Sequence, residues 1–530
     1  MKPHPLLTAL LTLIFILTVP TLQVTLTRPP AAVQASAPPE QFSAERAMRV
    51  VNEIAREPHS VGMPSHAEAK EYLLAELRSL GLDPQVQQTE TSRGSTAAYV
   101  ENILARIPGQ AGGGKAILLD AHYDSVSTGP GASDNGSSVA TLLETVRALQ
   151  AGPPLQNDLI LLFSDAEELG LLGAQAFVDQ HPWAQDVGLV LNFEARGHTG
   201  PVYTFETSPQ NGWLIPVYAR FAPYPQASSL MYEIYRQLPN DTDFTVFKNA
   251  GYPGFNFAFI GGVTHYHSAL DTPANLDQRS LQHSGSYALA LVQAFGSLDL
   301  TTPPQPNAVY FNAFGFTMVH YPQAWNIPLA VFAALAYAAV FVLALRKKQA
   351  TPGGVGIGAL VFLAGVALSG LAGFLLTQAI MRLYPQYSLL YDTYNSLYYW
   401  LAFVAVVIAL LAALYGGLSR RVSVISLSLG ALAWWLVLAF AAALSLPGAS
   451  FAFVWPLLFA LGGLAAALVL APAERQPEPP AVALLQGLLA LPGLVLFAPL
   501  VYIIYVAMSI RAAFIPMIIL GMLAGLLAPL

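Results

Sequence analysis

The C-terminal part of the chain limits the possible fold more than any other feature, because it is a series of apolar runs with few charges between them. Each run approaches or exceeds the about 20 residues that a helix needs to cross a bilayer. The runs cover residues 327–345, 355–380, 397–415, 422–446, 451–470, 481–506 and 512–530. Residues 327–530 are therefore predicted to form an all-α, multi-pass transmembrane domain of about seven helices in contact with the lipid bilayer.

Composition agrees with this division of the chain. Only 10% of the 530 residues are charged, whereas a soluble domain carries about 25%. The spans contain very few ionisable residues, which disfavours a proton- or ion-coupled transporter. The net charge of −7 comes without any basic run, so no nucleic-acid partner is expected. The oligomeric state is left open.

The N-terminal residues are also apolar. Residues 1–27 predict a signal anchor or transmembrane helix, and the Pro- and Ala-rich residues 28–40 predict a linker. Positive charges between the spans then set the orientation, because Lys and Arg are enriched in cytoplasmic loops. Those on one side are Lys2, Arg346-Lys347-Lys348, Arg420-Arg421 and Arg475, against Arg382 and Arg511 on the other. Both termini are therefore predicted in the cytoplasm and the intervening domain outside it.

Residues 41–300 predict one globular α/β domain, and the aromatic residues 301–326 predict a connector to the first span. Strand-like runs alternate here with helical patterns. The strands are expected at 116–119, 159–163, 189–193 and 255–260, and helices at 66–80, 137–149 and 281–298. Such alternation is typical of a mostly parallel sheet with helices on both faces.

Polar residues that can bind a metal follow each predicted strand. His122 ends the first strand, with Asp134 in the loop behind it. The pair Glu167-Glu168 follows the second strand, Glu194 the third and His267 the fourth. Because the carboxyl ends of parallel strands share one edge, these side chains are expected to converge. The chain has no cysteine, so any metal must be held by His, Asp and Glu.

Each of these residues also has an ordinary structural explanation. Asp134 can end a turn or cap a helix, Glu167-Glu168 can be solvated in a first helical turn, and Glu194 can pair with Arg196. A purely structural interpretation, however, needs four independent coincidences at the same sheet edge. The metal site is therefore favoured. No HExxH motif is present, so the helix-borne single-zinc arrangement is not expected.

The adjacent acids Glu167 and Glu168 indicate hydrolysis. Neighbouring side chains point in different directions, so one can bind a metal while the other faces the attacking water. A carboxylate beside such a water is the usual general base. Asp124 lies two residues after His122, on the same side of an extended chain, and is predicted to orient that imidazole.

These blocks resemble the co-catalytic zinc metallopeptidase family of aminopeptidases over about residues 47–295. That family also holds glutamate carboxypeptidases and, with one zinc, glutaminyl cyclases. The matching blocks are His122-Tyr123-Asp124, Ser133-Asp134-Asn135-Gly136, Glu167-Glu168-x-Gly170, Asn192-Phe193-Glu194, Tyr266-His267 and Asp271-Thr272. With spans following the domain, the layout is similar to the membrane-bound branch of endoplasmic reticulum metallopeptidases and vacuolar membrane proteases.

The resemblance implies two zinc ions per chain. Asp134 would bridge both ions. His122 and Glu194 would complete the ligands of one ion, and Glu168 and His267 those of the other.

The resemblance also implies the catalytic residues. Glu167 would take a proton from the attacking water and pass it to the leaving amine, and Tyr266 would help to polarise the scissile carbonyl. The Asp134–Asn135 peptide bond is often cis in the family.

The implied function is a membrane-anchored zinc exopeptidase that releases N-terminal residues from peptides. Three alternatives stay open: a glutaminyl cyclase, a carboxypeptidase or dipeptidase, and a non-catalytic receptor or scaffold. The second needs a cationic pocket, for which Arg196 is the nearby candidate. Two bound metal ions would favour the peptidase, one the cyclase, and none the scaffold.

Expectations also follow for three further residues and for the host. Asp241 is expected either to shape the pocket or to form an Asx turn. Arg196 and Glu206 are candidates for substrate contacts or for a simple ion pair. The absence of cysteine suits a bacterial envelope protein, so a bacterial cell membrane is expected rather than a eukaryotic organelle.

Overall fold

The computed structural model describes residues 5–112, 114–389, 392–470 and 480–527. The chain divides into two compact units. One is Thr27–Pro322, and the other combines the N-terminal helix with the residues from Gln323 onwards. Lys2 and Arg475, on which part of the predicted orientation rests, lie outside the described residues.

The described residues form nine strands and sixteen α-helices. The strands are β1 Gln85–Arg93, β2 Thr96–Ile107, β3 Ala116–His122, β4 Leu159–Ser164, β5 Val187–Ala195, β6 Thr199–Thr207, β7 Gly254–Gly261, β8 Ala308–Ala313 and β9 Thr317–Pro322. The helices are α1 Pro5–Leu26, α2 Ala44–Ile54, α3 Pro64–Ser79, α4 Ser138–Gln150, α5 Leu172–Gln180, α6 Leu214–Phe221, α7 Ser229–Tyr235, α8 Asp243–Asn249, α9 Gln278–Phe295, α10 Asn326–Arg346, α11 Pro352–Leu383, α12 Ser396–Leu418, α13 Val424–Ser445, α14 Ser450–Leu470, α15 Pro480–Met508 and α16 Phe514–Leu527.

A seven-stranded mixed sheet forms the centre of Thr27–Pro322, with the strand order β1-β2-β4-β3-β5-β7-β6. The four central strands, β4, β3, β5 and β7, are parallel, and they are the four predicted from the sequence. The outer strands β1, β2 and β6 are antiparallel and were not predicted. Residues of β1 are largely exposed or half-buried, so this strand lacks the continuous apolar run by which the central strands were recognised.

Helices cover both faces of the sheet, which confirms the predicted α/β class. Residues of α2, α3, α4 and α9 pack with one face of the strands into the larger core. Residues of α5 and α8 pack against the opposite face. Along this second face the central strands change from apolar to polar. The successive residues are Leu118, Asp120 and His122 in β3, and Val190, Asn192 and Glu194 in β5. This alternation carries polar side chains to the carboxyl edge of the sheet.

The predicted linker, 28–40, and residues 301–322 of the predicted connector belong to this unit, whereas residues 323–326 of the connector belong to the other. The backbone N–H of Val33 donates to Gln282 Oε1 at 3.1 Å, and Arg46 Nη1 donates to the Ala35 carbonyl at 2.7 Å. Residues 308–322 form the antiparallel hairpin β8–β9. A Pro-rich composition excludes regular helix but does not show whether a segment packs against a domain.

The second unit contains six described helices that are long and apolar enough to cross a membrane. They are Gln323–Arg346, Pro352–Leu383, Ser396–Leu418, Val424–Ser445, Pro447–Leu470 and Leu484–Met508. The seventh predicted run forms the shorter helix α16, whose 14 residues reach about 21 Å. The hydrocarbon core of a bilayer is about 30 Å thick. The described count is therefore six rather than about seven.

Candidate metal centre

Five side chains meet at the carboxyl edge of the parallel strands. His122 ends β3 and Glu194 lies near the end of β5, so strands hold both of them. Asp134 lies in the loop between β3 and α4, Glu168 in the loop after β4, and His267 in the loop after β7. The convergence follows from the parallel strand order, in which neighbouring carboxyl ends are adjacent.

These side chains form two groups that share one carboxylate. We call His122, Asp134 and Glu194 the inner group, and Asp134, Glu168 and His267 the outer group. Within each group, one ligand atom from every residue lies within 4.8 Å of the others. His122, Glu167 and Glu168 satisfy the same criterion. Two neighbouring three-residue groups with carboxylate and imidazole donors have the chemistry of a zinc site.

In the inner group, His122 presents an acceptor nitrogen to two acceptor oxygens. Its Nδ1 lies 3.0 Å from the Asp124 carbonyl, which assigns the proton to Nδ1. The opposite nitrogen, Nε2, then lies 3.4 Å from Asp134 Oδ1 and 3.5 Å from Glu194 Oε2. With a metal bound, Nε2 is unprotonated and three acceptors face the ion, whereas in the metal-free protein a proton on Nε2 provides the positive charge between them.

Asp134 directs one oxygen to each group. Its Oδ2 lies 3.1 Å from His267 Nε2, while Oδ1 faces His122. Asp271 holds this loop in place by accepting hydrogen bonds from the Ser133 N–H at 2.7 Å and the Asp134 N–H at 3.2 Å. The Asp134–Asn135 peptide bond is cis, as the resemblance implies.

The outer group contains atoms without hydrogen-bond partners. His267 Nε2 lies 3.1 Å from Glu168 Oε1, yet neither atom makes a hydrogen bond of acceptable geometry to any described residue. The same is true of Glu194 Oε1 in the inner group. Buried polar atoms are normally hydrogen-bonded. Their position is explained if they are metal ligands, so the residues present fit zinc.

The electrostatics of the centre are dominated by carboxylates. Burial opposes ionisation of Asp134, but its contacts with His122 and His267 lower its pKa to about 2. Burial and the nearby Asp134 raise the pKa of Glu168 to about 7. Burial also raises the pKa of Glu194. This excess of acidic groups over two imidazoles attracts cations.

Glu167 is held beside the groups by Asp124. The Asp124 carboxylate accepts hydrogen bonds from the backbone N–H of Glu167 at 3.0 Å and of Glu168 at 3.2 Å. Asp124 Oδ1 is 3.4 Å from His122 Nδ1, farther than the Asp124 carbonyl. The structure thus differs in detail from the expected role, because the backbone of Asp124 makes the shorter contact with the imidazole while its carboxylate positions the two glutamates.

Tyr266 stands next to His267, and its ring stacks on the imidazole with centroids 3.7 Å apart. Burial raises the pKa of Tyr266, and the carboxylates Asp134 and Glu168 raise it further. The hydroxyl group is therefore protonated at neutral pH and can donate a hydrogen bond.

Three further sequence candidates have other surroundings. Asp241 lies 3.1 Å from Arg93 and accepts a hydrogen bond from the N–H of Thr242, the next residue, whereas an Asx turn is closed by the N–H two residues on. Glu206 pairs with Lys248, so the suggested ion pair between Glu206 and Arg196 is wrong. Arg196 does not pair with Glu194 either, because no carboxylate of a described residue lies within 4.0 Å of its guanidinium.

A second layer of acidic residues lies beneath the centre and was not predicted from the sequence. Asp120 is completely buried on the face of β3 that carries His122, and Ser164 at the end of β4 donates to Asp243 at 2.5 Å. Burial raises the pKa of Asp243 to about 7. A signal was present in the sequence, because Asp120 precedes His122 by two residues and so shares its face.

Comparison with known proteins identifies the family of this domain. Residues 102–292 match the model of peptidase family M28, and this match includes all five residues of the two groups. The domain belongs to peptidase family M28. This match and the metallopeptidase relatives support a metallopeptidase, which is a hydrolase.

Relatives of the M28 domain include membrane proteins of animals and fungi. Endoplasmic reticulum metallopeptidase 1 of Rattus norvegicus is 34% identical over 240 residues, which are 43% of this chain and 27% of that protein. Vacuolar membrane protease of Candida albicans is 31% identical over 301 residues, 56% of this chain and 35% of that protein. The chain thus spans about a third or less of these relatives. They do not support the expected bacterial host.

Solved structures similar to this chain include an aminopeptidase from Aneurinibacillus and a glutaminyl cyclase from Porphyromonas gingivalis. The first is 14% identical, covers 53% of this chain and 98% of its own, and has a TM-score of 0.41. The second is 26% identical, covers 47% and 96%, and has a TM-score of 0.39.

Proposed function

We propose that the protein is a membrane-anchored aminopeptidase with two zinc ions, which releases N-terminal residues from peptides. The observation that carries the proposal is the arrangement around Asp134. One of its oxygens lies 3.4 Å from His122 Nε2 and the other 3.1 Å from His267 Nε2. A carboxylate between two complete donor sets suits a bridging ligand.

In this mechanism His122, Asp134 and Glu194 would hold one ion, and Asp134, Glu168 and His267 would hold the other. Zinc at such a site lowers the pKa of a water molecule and polarises the carbonyl group of the bond to be cut.

Glu167 accepts the proton of the attacking water and passes it to the amine that leaves. Its raised pKa, caused by burial and by the neighbouring acids Glu194 and Asp243 against the effect of His122, suits a group that must carry a proton. Asp124 keeps Glu167 in position through the backbone. The protonated hydroxyl of Tyr266 donates a hydrogen bond to the carbonyl oxygen as charge develops on it.

The test is metal analysis of the purified full chain together with turnover of peptides. We expect two zinc ions per chain and cleavage of peptides with a free, but not an acetylated, N-terminus. Glu167→Gln should retain both ions and lose about 10²- to 10⁴-fold in turnover. Glu101→Gln, which removes a carboxylate outside the centre, should retain activity. One ion per chain would favour the cyclase, and none the scaffold. Full turnover by Glu167→Gln would contradict its role as base.

We further propose that the M28 domain lies outside the cytoplasm. Arg346, Lys347 and Lys348 follow the first span directly, and Arg420-Arg421 follow α12, so these loops are expected inside. The chain has no cysteine, which makes single-cysteine labelling unambiguous. An impermeant thiol reagent applied to intact cells or sealed vesicles should label Glu40→Cys in the domain and Ser419→Cys after α12 from opposite sides. Labelling of both from the same side would contradict this orientation.

A further inference from the structure

The partly buried arginines of the M28 domain differ in one respect. Among the described residues of Thr27–Pro322 there are five such arginines, and four pair with a carboxylate. The pairs are Arg46–Glu144 at 2.8 Å, Arg93–Asp241 at 3.1 Å, Arg106–Asp158 at 2.6 Å and Arg147–Glu144 at 2.7 Å. The fifth, Arg196, has no such partner. In this domain a guanidinium removed from water is otherwise neutralised by an acid.

The Arg196 side chain also makes no hydrogen bond to any residue that the structure describes. Its Nε is buried and has no partner among the described residues. Only the backbone is engaged, because the Arg196 N–H donates to the Phe259 carbonyl at 3.0 Å. A partly desolvated cation with an unsatisfied donor is unfavourable unless an anion binds to it. The missing partner is therefore expected to come from outside the protein.

Arg196 stands at the edge of the metal centre. It is the first residue after β5, two residues beyond Glu194, and so lies at the carboxyl edge of the sheet where the metal ligands meet. The backbone bond to Phe259 ties it to β7, the strand that leads to Tyr266 and His267. Its positive charge is close enough to Tyr266 to oppose the rise in the pKa of that residue caused by burial. An anion bound by Arg196 would therefore lie beside the substrate carbonyl.

We propose that Arg196 binds a carboxylate on the residue that leaves, so that dipeptides are preferred substrates of the centre. A guanidinium binds a carboxylate through two parallel hydrogen bonds. In a dipeptide, the free carboxylate belongs to the residue directly after the bond that is cut, about 3.8 Å farther along the chain. A longer peptide has a neutral amide at that point. An acidic side chain on the same residue offers the same chemistry. This inference rests on the proposed aminopeptidase function.

The test compares three substrates of the zinc-loaded full chain: alanyl-alanine, alanyl-alanine amide and alanyl-glutamic acid α-amide. We expect kcat/KM for the dipeptide to exceed that for its amide by about 10- to 100-fold, the usual effect of a charge-assisted hydrogen bond. Arg196→Gln should abolish this ratio by raising KM for the dipeptide, and Arg196→Lys should keep part of it. Arg93→Gln removes another partly buried arginine and should leave the ratio unchanged.

The third substrate shows whether the carboxylate bound by Arg196 must be the C-terminal one or can be that of an acidic side chain. If alanyl-glutamic acid α-amide shows the Arg196-dependent preference, an acidic side chain also serves as the ligand. Equal losses for dipeptide and amide in Arg196→Gln, or a fall confined to kcat, would overturn the inference, because Arg196 would then act on the carbonyl rather than on a carboxylate.

A binding measurement separates this inference from the proposed function. Dissociation constants of alanyl-alanine and its amide are measured by calorimetry on Glu167→Gln, with and without Arg196→Gln. Tighter binding of the dipeptide that disappears with Arg196→Gln supports carboxylate recognition, even if the wild-type chain shows no turnover and the aminopeptidase proposal fails. Equal binding of the dipeptide and its amide overturns it.

Discussion

The inner and outer groups of the centre use the same residue types but are built differently. The inner group takes His122 and Glu194 from strands, whereas the outer group takes Glu168 and His267 from loops. The His122 side chain is 1% exposed and that of His267 is 25% exposed. His267 also has a positive φ of 54°, a conformation that few residues other than glycine adopt.

Hydrogen bonds strengthen the contrast. In the inner group, His122 contacts the Asp124 carbonyl, and Glu194 accepts a hydrogen bond at 3.2 Å from Asn135. In the outer group, the His267 and Glu168 atoms that face each other make no hydrogen bond to described residues. The inner group is therefore held by the sheet before a metal binds, and the outer group depends more on the metal. The outer group is also the more exposed to solvent.

Removing the shared carboxylate should have the largest effect, because both groups lose a donor. Asp134→Ala is expected to lose zinc from both groups and to reduce turnover by about 10³-fold or more, since a metal supplies several kcal/mol of transition-state stabilisation. Metal analysis and peptide turnover measure the effect, with Asp241→Ala at an exposed position as control. Retention of one full equivalent of zinc would show that the groups are independent.

Two histidine variants test whether the inner group is preformed and the outer group depends on the metal. His122→Ala leaves buried carboxylates without their cation partner and should destabilise the metal-free protein by about 3–5 kcal/mol. His267→Ala, at a partly exposed position, should cost about 1 kcal/mol or less. Thermal unfolding of the full chain in detergent, after chelation, measures both. Equal losses of stability would contradict the division into a preformed and a metal-dependent group.

Asp124 contacts both groups. It touches His122 of the inner group, and its carboxylate holds the backbone of Glu167 and of Glu168, which belongs to the outer group. Asp124→Asn keeps the size of the side chain but removes its charge. We expect zinc affinity or turnover to fall about 10- to 100-fold, as for other residues that position metal ligands. Competition with a chelator and kcat/KM measure the two effects. A variant with wild-type values in both assays would exclude a positioning role for Asp124.

A buried histidine outside the centre provides the smallest test. His283 is as buried as His122 but faces backbone groups: it accepts from the Val202 N–H and its Nε2 lies 3.1 Å from the Tyr224 carbonyl. Burial lowers the pKa of His283 to about 3, whereas the acids around His122 raise the pKa of that residue despite burial.

The consequence is a loss of stability in acid. The unfolded chain has a histidine pKa of about 6.5 and binds the proton first, so the contribution of His283 is complete above pH 6.5. It falls by up to about 1.4 kcal/mol per pH unit between pH 6.5 and 3. Thermal unfolding against pH should therefore show a flatter acid limb for His283→Gln than for the wild-type chain. An identical limb would contradict a neutral His283.

Much of the centre was predictable because its residues are marked locally. A buried strand is recognisable in the sequence as an apolar run. The polar residue that ends such a strand lies at the carboxyl edge of a parallel sheet, as His122 does after Ala116–Leu119. The antiparallel strands β1 and β6 were not predicted, since their residues alternate in burial and form no such run.

The sequence by itself determined that apolar helices and an α/β domain share the chain, and which residue types reach one sheet edge. Both depend on periodicity over neighbouring residues. The tertiary structure alone decided which atoms meet: that Asp134 divides its oxygens between two histidines, that the Asp124 carboxylate holds the Glu167-Glu168 backbone, and that Arg196 has no acid beside it. These contacts join residues tens of positions apart, and ångström distances between them are set by the packing of the whole sheet.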